Sequence, residues 1–167
     1  MKTFQNITNK IQSWEAIQAT VATWRANGEV IVFTNGCFDI LHYGHIHYLS
    51  DARDQGHRLI VGLNSADSVK RLKGNHRPIN DEATRQTLLA SLACIDAVVV
   101  FEADTPLELI ELVKPDILVK GGDWKPEQIV GSDFVLKNGG KVKSLPFVAG
   151  YSTTNIEQKI IDLHKDN

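Results

Sequence analysis

Five short runs of β-branched and other apolar residues, separated by helix-like segments, restrict this chain to very few folds. They cover residues 30–34, 58–63, 97–101, 116–120 and 141–145. Val30-Ile31-Val32-Phe33 and Ala97-Val98-Val99-Val100 are apolar without alternation, the pattern of strands buried on both faces. Such strands, separated by helices, pair in parallel, and right-handed crossovers then place helices on both sides of the sheet. The expected architecture is α/β, a doubly wound five-stranded parallel sheet. Ligands of such sheets sit beyond the carboxyl ends of the strands, where the strand order reverses.

Helix signals fill the gaps. Residues 44–55 read as a helix ended by Gly56 as a C′ glycine. Ser65 can cap a short helix through Leu72, and Asp81 can cap residues 82–93, with Leu88, Leu89 and Leu92 as an apolar stripe. Thr105-Pro106 reads as a cap followed by a first-turn proline, for a helix ending before Pro115. Ser152 can cap a last helix from Thr153 to about His164. Trp14, Ile17, Val21 and Trp24 make residues 1–28 a helical segment, either packed on the sheet or used as a dimer contact.

A length of 167 residues suits one domain spanning 1–167. The formal net charge of −2 argues against a nucleic-acid partner, which would demand a basic face. No apolar run approaches the roughly 18 to 20 residues of a membrane span, and residues 1–10 lack the apolar core of a signal peptide. Cys37 and Cys94 have neither disulfide-framework nor zinc-site spacing. The expectation is a cytoplasmic protein with no membrane partner.

Chemistry concentrates after the first run, in Thr34-Asn35-Gly36-Cys37-Phe38-Asp39-Ile40-Leu41-His42-Tyr43-Gly44-His45. A buried strand feeding a glycine-bearing loop and then a helix puts free backbone N–H groups and two imidazoles where a phosphate chain would lie. His42 and His45, three apart in a first helical turn, project from one face and can donate to charge developing on a phosphoryl group. Gly44 is expected to let a ligand approach the backbone. The bland alternative is a pair of capping or half-buried histidines; a metal pair lacks a recognisable third ligand.

Three further segments point to the same edge. Lys73 and Arg77, within residues 73–80, read as a cationic arm for phosphates or as plain solvated charges, whereas Lys70 and Arg71 read as helix surface. Lys120-Gly121-Gly122-Asp123 follows the fourth run, and Lys120 or Asp123 would meet nucleotide or sugar hydroxyls. Ser152-Thr153-Thr154 opens a helix as an anion site, unless Ser152 merely caps it. Asp39 is expected to orient the loop or a histidine. Cys37 reads as a small buried residue rather than a nucleophile.

The stretch TNGCFDILHYGH resembles the signature of the HxGH nucleotidyltransferase superfamily. The likeness continues through Val61-Gly62-Leu63-Asn64-Ser65, Arg77-Pro78-Ile79, Asp104-Thr105-Pro106, Leu118-Val119-Lys120-Gly121-Gly122-Asp123 and Ser152-Thr153-Thr154. Together, over residues 4 to 160, these resemble the heptose 1-phosphate adenylyltransferase (ADP-heptose synthase) family. The resemblance implies a Rossmann-like nucleotidyltransferase fold that transfers AMP from ATP to D-glycero-D-manno-heptose 1-phosphate and releases pyrophosphate. It also implies Mg²⁺ carried with ATP, a homodimer, and a separate heptose kinase and phosphatase feeding lipopolysaccharide or surface-glycan synthesis. Many members carry a sugar kinase ahead of this domain, and this chain looks like the stand-alone form.

Site residues follow by the same resemblance. His42, His45 and Lys73 would be catalytic. Thr34, Asn35, Gly36, Cys37, Phe38, Gly44, Arg77, Lys120, Gly121, Gly122, Ser152, Thr153 and Thr154 would bind nucleotide or phosphate. Asp39, Asn64 and Asp123 would bind the sugar phosphate, and no residue is a dedicated metal ligand. One departure is informative: glycerol-phosphate cytidylyltransferases carry Arg-Thr ahead of their STT, where this chain has Phe147-Val148-Ala149-Gly150. That weakens a CTP reading. The remaining alternatives are a cytidylyltransferase for glycerol 3-phosphate or a related phosphate, a tRNA-charging domain, and a non-catalytic nucleotide-binding module. NAD binding is disfavoured because no GxGxxG follows the first strand.

Overall fold

The computed structural model describes residues 2–165. It contains a five-stranded all-parallel sheet of order β3-β2-β1-β4-β5. The strands are β1 (Ile31–Gly36), β2 (Arg58–Asn64), β3 (Ala97–Phe101), β4 (Ile117–Gly121) and β5 (Lys141–Leu145). The chain builds outward from β1 to β3, then crosses back to lay β4 on the other side of β1. The switch point therefore lies between the ends of β1 and β4.

Side chains alternate across the pleat, so each strand feeds two cores. Ile31, Phe33, Ile60 and Val99 face α2 (Trp14–Ala26), α6 (Leu107–Val113) and α7 (Ser132–Lys137). Val32, Leu59, Val61 and Val98 face α3 (Tyr43–Arg53) and α5 (Glu82–Ser91). Both faces are covered, which explains why the strands read as continuous apolar runs. The doubly wound expectation holds. No helix among the described residues is long and apolar enough to cross a membrane.

The N-terminal segment is two helices, α1 (Lys2–Thr8) and α2, of which the sequence pattern gave only the second. Ile17 is fully buried and Val21 nearly so, and the Trp14 indole N–H donates to the Val100 carbonyl at 2.8 Å, so α2 packs on the sheet. Ile17→Ala is expected to cost about 2–5 kcal/mol in chemical denaturation. A loss well below 1 kcal/mol would mean that α2 is peripheral to the folding unit.

Several boundaries moved for identifiable reasons. Gly56 is not a left-handed C′ residue; a Cβ there would come within 2.7 Å of Val32 Cγ2 and 2.9 Å of the Val30 carbonyl, so its role is close approach. Pro106 takes the N-cap position of α6 in place of Thr105. The inward face of α5 runs through Arg85 and Leu89, while Leu88 is 41% exposed, because adjacent helical residues lie about 100° apart. Two short elements escaped the sequence reading, a 3-10 turn at Pro126–Gln128 and α7. Helix α4 (Ala66–Lys73) and helix α8 (Thr153–Lys165) start as expected, with Ser65 Oγ accepting from the Ser68 N–H and Ser152 Oγ from the Asn155 N–H.

Candidate active site

Because β1 and β4 are neighbours, Asn35 and Lys120 meet at the switch point, with Lys120 Nζ 3.4 Å from Asn35 Oδ1. Two hollows open there, of about 300 and 240 Å³, and share Asn35, Gly36, Cys37 and Lys120. One lobe continues over Asn64, Leu72, Asp104-Thr105-Pro106 and Trp124. The other continues over Phe38, His45, Tyr48, Lys73, Arg77, Gly121, Phe147, Thr153 and Thr154. A cleft with two compartments joined at a common floor suits two ligands that must meet.

His42 holds the N-cap position of α3 and His45 its first turn. Their rings stack, with centroids 3.8 Å apart and planes at 24°. Burial lowers the pKa of His42. His45 is pushed down to about 4, first by burial and then by the neighbouring His42, with the Ile40 backbone pulling the other way. Both rings are therefore neutral at pH 7, and neither buried Nδ1 makes a hydrogen bond of ordinary geometry among the described residues. Two neutral imidazoles can each offer one N–H without the repulsion that two stacked cations would suffer.

Phe38 has φ +42°, the left-handed region disfavoured for a side-chain-bearing residue. Its ring lies over Gly36, where a Cβ would sit 2.9 Å from the ring, and edge-on to His45 at 5.3 Å. Lys73 makes no ion pair among the described residues and faces the second lobe. Lys120 sits half-buried in the floor of both lobes, and burial lowers its pKa. Burial raises the Cys37 thiol, which leaves it protonated and unreactive at neutral pH.

Other expected residues have different duties. Thr34 is fully buried, bonds the Tyr48 hydroxyl at 2.6 Å and lines neither lobe. The space beside Gly44 is taken by Tyr151 Cβ (3.1 Å from an added Cβ) and the His42 ring, so this glycine serves packing rather than ligand approach. Asp39 accepts from the N–H groups of Ile79 and Asn80, each at 2.9 Å, and from Arg77 Nη1 at 2.7 Å. Burial alone would raise the Asp39 carboxyl, but these donors outweigh it and hold it below the usual carboxylate range. Asp39 thus organises the 77–80 loop while lining the second lobe.

Arg77 is pinned in turn between Asp39 and Glu157 of α8, so it is not a free arm. Lys70 and Arg71 pair with surface carboxylates, as helix-surface residues do. Asn64 lines the first lobe while donating to Ser68 Oγ at 3.0 Å. Ser152 caps α8, leaving Thr153 and Thr154 on the second lobe. Gly122 and Asp123 fall outside both lobes, in a shallow hollow shared with Trp124 and Phe147.

Sequence reasoning missed Trp124, Phe147, Tyr48 and Arg85. Only Trp124 carried a local signal, as the aromatic directly after the Gly121-Gly122-Asp123 turn. Phe147 packs its ring where Gly121 lacks a Cβ, 2.5 Å from an added one, a contact no local pattern announces.

A Rossmann-like sheet with this two-lobed switch-point cleft is the scaffold of a nucleotidyltransferase, and the matches with known proteins agree. The chain belongs to the cytidylyltransferase-like family, whose model matches residues 33–159. It is 54% identical over 158 residues to the bifunctional protein HldE of Trichlorobacter lovleyi, covering 95% of this chain and 32% of that protein. It is 58% identical over 147 residues to the HldE of Histophilus somni, covering 88% of this chain and 31% of that one. The chain thus spans about a third of the length of these curated relatives. Among solved structures, the lipopolysaccharide core biosynthesis protein of Thermoplasma volcanium matches with TM-score 0.58 and 32% identity, over 72% of this chain and 98% of that one. A pantoate–β-alanine ligase from Francisella tularensis shares the fold at TM-score 0.58 and 17% identity, over 94% of this chain and 79% of that one.

Proposed function

We propose that the protein is a heptose 1-phosphate adenylyltransferase. A phosphate oxygen of the sugar 1-phosphate attacks the α-phosphorus of ATP, the bond between that phosphorus and its bridging oxygen to the β-phosphate breaks, and pyrophosphate leaves with the electron pair. The attacking oxygen is already ionised at neutral pH, so the reaction calls for alignment of two anions and neutralisation of charge rather than a strong base. The stacked, neutral histidine pair beside a two-lobed cleft carries this reading, since it supplies hydrogen bonds to phosphoryl oxygens.

The second lobe suits the triphosphate, with His45, Lys73, Thr153 and Thr154 on its walls. The first lobe suits the sugar phosphate, with Asn64 for hydroxyls and the exposed Trp124 ring for a C–H face. Lys120, common to both, bridges the reacting phosphates. Mg²⁺ would be carried with ATP and would supply charge neutralisation to the phosphates. The identity with HldE proteins favours a heptose acceptor and adenylyl transfer; a separate kinase and phosphatase would supply that acceptor, and the working unit would be a homodimer.

Pyrophosphate release with Mg²⁺, crossing ATP and CTP against heptose 1-phosphate anomers, hexose 1-phosphates and glycerol 3-phosphate, tests this. Release with ATP and one heptose 1-phosphate is expected. Release with CTP and glycerol 3-phosphate would assign the protein to glycerol-phosphate cytidylyl transfer. ATP binding without release would leave a non-catalytic nucleotide-binding module.

A further inference from the structure

Arg85 is the largest fully buried side chain of the described residues, at 0% exposure; Glu82, Asp39 and Asp81 act on it from a distance, but among the described residues no carboxylate pairs with it directly. Its Nη1 donates to the Cys37 carbonyl at 2.9 Å and to the Asn64 carbonyl at 2.8 Å, while Nε and Nη2 have no partner. Burying a guanidinium without a carboxylate in contact is costly, and replacing a buried charged group by an apolar one is often neutral or stabilising. Stability therefore does not explain this arginine. Its two acceptors do: Cys37 opens the loop after β1 in the floor shared by both lobes, and Asn64 ends β2 on the wall of the first lobe.

We propose that Arg85 is the positioning residue of the transfer site, a buried fork that ties the Cys37 and Asn64 carbonyls together and so sets the loop carrying Phe38 against His45. In a trans peptide the C=O and the following N–H point in opposite directions. With the Cys37 carbonyl drawn onto Arg85, the Phe38 N–H points away from the guanidinium. It makes no hydrogen bond among the described residues. The same tether holds Phe38 at φ +42°, a conformation that persists only when its surroundings over-determine it. From there the Phe38 ring meets His45 edge-on at 5.3 Å.

The inference rests on the nucleotidyl-transfer reading, and its test has a readout independent of it. Arg85→Met keeps the length and apolar bulk of the stem but removes the fork. Its kcat for pyrophosphate release is expected to fall about 100-fold, the usual cost of misplacing a reacting geometry by about 1 Å, with the Kd for Mg·ATP changed by less than about threefold. By NMR titration the His45 pKa should move up toward the ordinary histidine value as Phe38 releases it, whatever substrate the enzyme uses. Arg85→Lys keeps the charge but not the planar fork and should lose about tenfold; it decides the matter if the methionine variant does not fold. Should the wild type release no pyrophosphate with any acceptor, the transfer reading fails, and a rise in the variants' His45 pKa still establishes the tether. A folded variant with an unchanged His45 titration, and unchanged kcat where turnover exists, would overturn the proposal.

Discussion

His45→Ala is expected to lower kcat by about 100-fold or more while the Kd for ATP stays within about threefold, and His42→Ala to act in the same direction. The two rings stack at 3.8 Å, so they act as one unit of hydrogen-bond donors, and the double variant should lose little more than either single one. Isothermal titration with a non-reacting ATP analogue, set beside steady-state turnover, separates the two effects. Equal losses in binding and turnover would assign the histidines to ground-state binding. The pH dependence has a definite sign. His45 titrates near 4 when folded and near 6.5 when unfolded, so between those values the unfolded chain binds the extra proton. His45 thus contributes stability that is fully present above about pH 6.5 and lost as pH falls through about 4. His45→Gln should flatten that acid limb in a thermal denaturation series, and an unchanged limb would locate the acid sensitivity elsewhere.

Lys120→Met is expected to reduce kcat/KM about 100-fold without lowering Tm. Lys120 is the charged side chain shared by both lobes, and its nearest polar contact is Asn35 Oδ1 at 3.4 Å rather than a carboxylate. An amine half-buried without a counterion is destabilising to the free protein and becomes favourable when phosphates arrive. Methionine of similar length removes the charge and keeps the packing. Differential scanning fluorimetry with and without Mg·ATP reads both halves of this expectation: the apo Tm should hold or rise, and the ligand-induced rise should shrink. A large fall in apo Tm would give Lys120 a structural role instead.

Much of the architecture was legible because it is set by short-range physics. Continuous apolar runs such as Val30-Ile31-Val32-Phe33 can only be strands covered on both faces, and Ser65, Asp81 and Ser152 cap helices by bonds three residues along the chain. The candidate loop could be located for the same reason, since it directly follows the first strand. Its inner wiring could not. Asp39 reads in sequence as an orienting residue for its own loop or a histidine, yet the segment it orders is the distant 77–80 loop, and Gly44 reads like a ligand gap, yet Tyr151 fills it.

By itself, then, the sequence determined the strand and helix alternation, the parallel doubly wound sheet and the edge on which the chemistry-bearing residues collect, because periodicity and capping act within a few residues. Only the tertiary structure decided that β4 lies beside β1, bringing Lys120 to Asn35 across 85 residues, that Arg77 links Asp39 to Glu157, and that Arg85 turns inward beneath the loop. Those pairings depend on strand order and on which face of a helix meets the sheet. Both are fixed by packing between distant segments, and no local pattern records them.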